Sequence, residues 1–182
     1  MEPMGIGAVM HTFNVQLANV DAGIYEEFTL RTARQASETE GNLLLRILAY
    51  ALEFEEGIEL SQGIAATNEP AVFVKDLTMA FTSWIEVGAP DAARLHYGSK
   101  LAGRAAVYTQ RDPERLAATW AGKPLHHGKE IRVIGFEPHS IDNAAEALER
   151  RNDLSVTLTE GTLYLELNGR QFSTPVLQSF AA

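Results

Sequence analysis

Asp76 and Glu86 stand ten residues apart in Lys75-Asp76-Leu77 and Trp84-Ile85-Glu86-Val87-Gly88, inside text that is otherwise apolar and strand-like. A sheet held only by packing favours Val, Thr or Tyr at such positions. A carboxylate on the inner part of a strand is costly unless a cation, a metal ion or several hydrogen-bond donors hold it. Two together point to a divalent-ion site. Mg2+ or Mn2+ takes about six oxygens, several from water, and can make a bound water nucleophilic while polarising a phosphoryl oxygen. The two acids share a face only if residue numbers paired across their hairpin sum to an even value. The competing expectation is an ion-pair network with Arg46, Arg94 or Lys75 and no metal.

The distribution of charge bears on the substrate. The chain carries a formal net charge of -9, which opposes nonspecific nucleic-acid binding. Residues 1 to 93 hold 14 acids and 4 bases, whereas residues 94 to 132 hold 3 acids and 8 bases: Arg94, Lys100, Arg104, Arg111, Arg115, Lys123, Lys129 and Arg132. A basic patch beside an acidic pocket suits a nucleic acid or another phosphate-bearing ligand; otherwise these are solvated side chains on two helices and a loop.

Those side chains need elements to position them. Alternating apolar residues predict strands over Val9 to Leu17 and Phe28 to Arg34. Ser37-Glu38-Thr39-Glu40 matches a capping box and predicts a helix to about Phe54, with Glu38, Asn42 and Arg46 forming a polar stripe in steps of four. The acid-bearing strands, Ala71 to Leu77 and Phe81 to Gly88, follow. Pro90-Asp91 opens a helix to about Gly103, and Ala105 to Thr109 reads as a buried strand. Pro113 to Ala121 reads as a helix, Glu130 to Phe136 as a strand and Pro138 to Arg150 as a helix. Strands alternating with helices predict an α/β core with at least one parallel pairing. Leu154, Val156 and Leu158, then Leu163, Leu165 and Leu167, with turns at Glu160-Gly161 and Asn168-Gly169, predict a C-terminal antiparallel β-meander of three strands. Residues 1–182 read as a single domain. The absence of cysteine fits a reducing compartment, and no apolar run is long enough to span a bilayer, so a soluble cytoplasmic protein is expected.

Ser37-Glu38-Thr39 at a helix start, Arg46 within Leu45-Arg46-Ile47-Leu48, Lys75-Asp76-Leu77-Thr78, Trp84-Ile85-Glu86-Val87-Gly88, Pro90-Asp91 and Arg94 together resemble the YaeQ family of bacterial proteins over nearly the whole chain. That family resembles the PD-(D/E)xK nuclease fold. The resemblance implies a central mixed β-sheet flanked by helices, a restriction-endonuclease-like core, with metal-binding acids on adjacent strands and a third from the first core helix. It makes Glu38 the helical acid, Asp76 the motif Asp and Glu86 the acid of the ExK step, all three as Mg2+ or Mn2+ ligands.

The sequence departs from this pattern where a lysine is wanted two residues after Glu86, because Gly88 stands there. Arg94 and Lys100 are the candidate replacements, but six residues turn them about 240° apart on a helix, so only one can face the site. Gln35-Ala36 also replaces the His-Pro pair usual in the family. His126-His127 reads as a solvated loop, with zinc binding alongside His139 or Glu130 only a distant option, and no serine lies in a nucleophile elbow. Two functions follow: a metal-dependent nuclease or phosphodiesterase built on Glu38, Asp76 and Glu86 with Arg94 or Lys100, or a noncatalytic binding or regulatory module using the acidic cavity for a ligand or protein partner.

Overall fold

The computed structural model describes residues 7–61 and 69–182. Its first hairpin is longer than the sequence pattern predicts. Strand β1 (Val9–Asn19) pairs with β2 (Ile24–Arg34) in unbroken antiparallel register from Asn19↔Ile24 to Val9↔Arg34. Phe13, Val15 and Leu17 point inward, and Asn14 and Gln16 point out.

Helix α1 (Glu40–Leu52) starts two residues later than the capping box suggests. Thr39, not Ser37, is the N-cap: its hydroxyl accepts from the Asn42 amide at 3.0 Å. Glu38 therefore precedes the helix, which frees its side chain to fold back along the stripe. From Leu43 to Ala51 every residue of α1 is buried, as an apolar circumference demands.

The middle of the chain is β3 (Ile58–Leu60), β4 (Val72–Lys75), β5 (Phe81–Val87), α2 (Ala92–Ala102), β6 (Ala105–Tyr108), α3 (Pro113–Ala118) and, after a 3-10 turn at Gly128–Glu130, β7 (Arg132–Phe136). The short β3 falls where the sequence suggests only a loop. Asp91 caps α2 by accepting from the Arg94 amide at 2.8 Å, and Gly103 ends the helix in the left-handed conformation. The long helix expected over Pro138 to Arg150 is reduced to α4 (Ser140–Ala145). The Asn152 amide group binds both the N–H and the C=O of Glu149 at 2.8 Å, drawing the chain out of the helix and into β8 (Arg151–Thr159). Strands β9 (Thr162–Leu167) and β10 (Arg170–Phe180) complete the predicted meander.

Among the described residues, ten strands form one mixed sheet in the order β2-β1-β8-β9-β10-β7-β6-β5-β4-β3. β5, β6 and β7 are mutually parallel, and β1 pairs in parallel with β8. β10 is the joint between the halves: its first part pairs with β9 through Pro175, and its remainder from Val176 pairs with β7. It is an interior strand of the sheet. The sheet is nearly closed and barrel-like around α1, which touches β2 and β8 on one side and β3 to β6 on the other. The larger core gathers α1 and α4 with the inward faces of both halves. A second core lies on the opposite face of β5 to β7, where Leu95 of α2, Leu116 of α3 and Trp120 just after it pack against Trp84, Val107 and Val133.

Candidate functional site

Glu38 and Arg46 meet at the start of α1, with side chains only 1% exposed. Arg46 donates through Nε to Glu38 Oε2 and through Nη2 to Oε1, both at 2.8 Å, and also binds the Thr32 hydroxyl and the Ala33 carbonyl of β2 at 3.1 Å. Asn42 donates to Glu38 Oε2 at 2.6 Å. The polar stripe is thus one hydrogen-bonded network that fastens α1 to β2, with one carboxylate matched by one guanidinium through two hydrogen bonds.

Glu86 lies on the other face. Ile85 enters the core around α1, whereas Trp84 and Glu86 point toward α2. Trp84 Nε1 and Arg94 Nε each donate to Glu86 Oε1 at 2.8 Å, and the Arg94 guanidinium lies 5.9 Å from the indole centroid. Burial pushes the Glu86 carboxyl above the usual range, partly offset by Arg94 and the Trp84 bond, while Asp91 adds to the rise. Of the two candidate cations, Arg94 reaches the acid, and Lys100 is exposed elsewhere on α2.

Asp76 is not on a strand. It opens the β4–β5 turn, exposed, and its Oδ1 accepts from the Thr78 amide at 2.8 Å, the Thr78 hydroxyl at 2.6 Å and the Ala80 amide at 3.2 Å. The Thr78 hydroxyl first, then the two amides, holds this carboxyl below the ordinary value. An Asp-x-Thr sequence at the end of a strand is the signal that would have identified the turn. The register adds a second correction: Val72↔Ile85, Phe73↔Trp84 and Val74↔Ser83 all sum to odd numbers, and a bulge follows at Lys75. Even-numbered residues of the two strands thus point to opposite faces.

The three acids therefore occupy three places: the inner side of the sheet, its outer side and an exposed turn. Among the described residues no three His, Asp or Glu side chains gather as a metal ion requires. The donor set does not fit Mg2+ or Mn2+, since each buried acid already has its own guanidinium. The absent motif lysine also has a local cause, because Gly88 leaves β5 at φ 107°, a conformation that strains any L side chain.

Other pairings escape sequence reading. Glu53 just after α1 accepts from the Tyr108 hydroxyl at 2.7 Å and pairs with Arg132 of β7. Burial first, then Glu53, drives the Tyr108 hydroxyl well above its normal range. The His126 amide donates to His96 Nδ1 at 3.0 Å, and His127 lies 3.7 Å from Glu130. This cluster ties the loop after α3 to α2. Of the eight cations between 94 and 132, all but Arg94 and Arg132 are exposed on α2, α3 and their loops.

A mixed α/β protein with a ten-stranded sheet curled around its first helix, and with an arginine on each buried acid, is the class these features define. The profile of the family described as YaeQ protein matches residues 4–176, and the chain belongs to that family. It is 25% identical over 167 residues to the uncharacterized protein YaeQ of Escherichia coli (strain K12), covering 89% of this chain and 90% of that one. The crystal structure of YaeQ protein from Xanthomonas axonopodis pv. citri superposes with a TM-score of 0.84 at 23% identity, covering 94% of this chain and 97% of that chain. YaeQ protein from Pseudomonas syringae gives 0.82 at 25% identity, covering 94% and 95%.

Proposed function

We propose that this protein is a noncatalytic binding module for single-stranded nucleic acid, which docks on the outer surface formed by α2, α3 and their loops. The reading keeps the phosphate-bearing partner suggested by the basic residues between 94 and 132 and drops hydrolysis. The observation that carries it is the use already made of the three acids: Arg46 on Glu38, Arg94 on Glu86, and three donors on Asp76 Oδ1. Hydrolysis of this kind needs carboxylates free to hold an ion. Docking needs cations and aromatic faces in water. On α2, Tyr97 is 55% exposed beside Trp84, and exposed Lys100 and Leu101 follow it three and four residues on, at helical spacing.

Two measurements test this. Mn2+ or Mg2+ titrated to millimolar levels should leave the melting temperature where an ionic-strength control puts it; a metal-specific rise would restore the hydrolase reading by mass action. A fluorescent single-stranded oligonucleotide should bind at low salt with an affinity that falls as salt rises. Tyr97→Ala should weaken it by about tenfold, in line with one stacked base. No binding by the intact protein at low salt would overturn the proposal.

A further inference from the structure

The outer strand β2 is the long free edge of the sheet: eleven residues, no proline, no bulge against β1, and among the described residues no partner but β1. The opposite edge, β3, has only three residues. Sheet proteins usually shorten, bend or block an edge of this length because its unpaired N–H and C=O groups template another strand.

Which groups are free follows from the ladder. The amides of Thr12 and Val20 donate to Arg150 and Leu158, on the β8 side, so even-numbered residues of β1 face β8 and odd-numbered ones face β2. Through Phe13↔Leu30 and Val15↔Phe28, the even-numbered residues of β2 bond to β1. Glu27, Thr29 and Arg31 then turn their backbone groups to the free side, and their side chains are exposed. The carbonyl of Ala33 is already taken by Arg46, so the usable stretch ends there.

We infer that β2 pairs antiparallel with β2 of a second copy of this chain, about a two-fold axis at Thr29. Registers that align the free backbone groups differ by which residue sits on the axis. Centring on Glu27 sets glutamate against glutamate, and centring on Arg31 sets arginine against arginine. Centring on Phe28 sets Glu27 against Thr29 and Arg31 against Tyr25, and centring on Leu30 matches Glu26 with Arg34 but sets Glu27 against Ala33, whose carbonyl Arg46 already takes. Only the axis at Thr29 places Glu27 opposite Arg31 twice on the outer face while Phe28 meets Leu30 on the inner one. The three hydrogen-bonded pairs contribute about six backbone bonds, and the small area makes a weak dimer that depends on concentration. This dimer is independent of the nucleic-acid surface, which is carried by α2 and α3.

Sedimentation of the full chain from about 5 to 500 μM should show a reversible monomer–dimer equilibrium. Glu27→Arg alone and Arg31→Glu alone each turn two attractions into two repulsions and should weaken dimerisation by about tenfold or more. An equimolar mixture of these two variants restores both pairs across a heterodimer and should associate at least as well as the wild type. Both substitutions are on exposed positions, and unchanged circular dichroism confirms folding. A chain that stays monomeric throughout overturns the inference and makes Glu26, Glu27 and Arg31 mere guards of the edge. A dimer indifferent to the variants, or a mixture that fails to associate, overturns it equally.

Discussion

Replacing Arg46 by Met removes the charge but keeps most of the side-chain volume, and it tests whether Glu38 is a structural partner or a ligand in waiting. Arg46 is 1% exposed and makes four hydrogen bonds, two of them to Glu38. Without it, Glu38 keeps only the Asn42 amide, and the Thr32 hydroxyl and Ala33 carbonyl lose a donor. Breaking a buried pair from one side costs about 3–5 kcal/mol. For a chain of this size each kcal/mol moves the melting temperature by about 2–4 °C, so a fall of about 6–20 °C is expected. The double variant Arg46→Met/Glu38→Leu removes both charges into a well-packed apolar site, and its cost should undercut the sum of the single variants by about 2–3 kcal/mol. Urea unfolding followed by circular dichroism measures all three. A loss below about 1 kcal/mol for Arg46→Met, or strict additivity in the cycle, would refute the argument that this pair fastens α1 to β2.

Two further outcomes follow from the outer face. A Cβ at Gly98 would overlap the indole of Trp84, which is fully buried. Although alanine is the better helix former by about 1 kcal/mol, Gly98→Ala should still destabilise by about 1–3 kcal/mol in denaturant unfolding, because Trp84 must move off Glu86. Glu86 has a raised carboxyl pKa, so folding favours its neutral form; its contribution is fully present below the unfolded value and is lost as pH rises through the folded one. Glu86→Gln lacks that loss, so the melting-temperature advantage of the wild type over the variant should shrink from pH 4 toward pH 7; an advantage that grows instead would contradict the assignment.

The parts of this molecule written in local spacing were legible in the sequence. The alignment of Asn42 with Arg46 needs only a helical repeat, although Glu38 joins them by folding back from just before the helix; the cap at Asp91 needs only Pro-Asp before a helix, and the meander only alternating leucines. What decides the site is not local. Asp76 and Glu86 look alike in an apolar sequence, yet one shapes a turn and the other is buried, and the difference turns on an odd register and a bulge at Lys75. Trp84 is a packing residue by composition, but sharing a strand face with Glu86 makes it a donor. The brevity of α4 depends on Asn152, whose side chain reaches back to Glu149 as the chain turns into β8. The curl of the sheet depends on β10 changing partners at Pro175, which no pattern within β10 announces.

The parallel seam between β1 and β8 joins Thr12 to Arg151 and Asn19 to Leu158. During synthesis the first hairpin emerges long before the strand that completes its inner flank, and α1 emerges before most of the wall that will bury it. Local pairing of β1 with β2 can form at once, but the barrel can close only when nearly the whole polypeptide is available. Truncation within β8 to β10 should therefore leave an apolar helix exposed rather than a smaller stable protein.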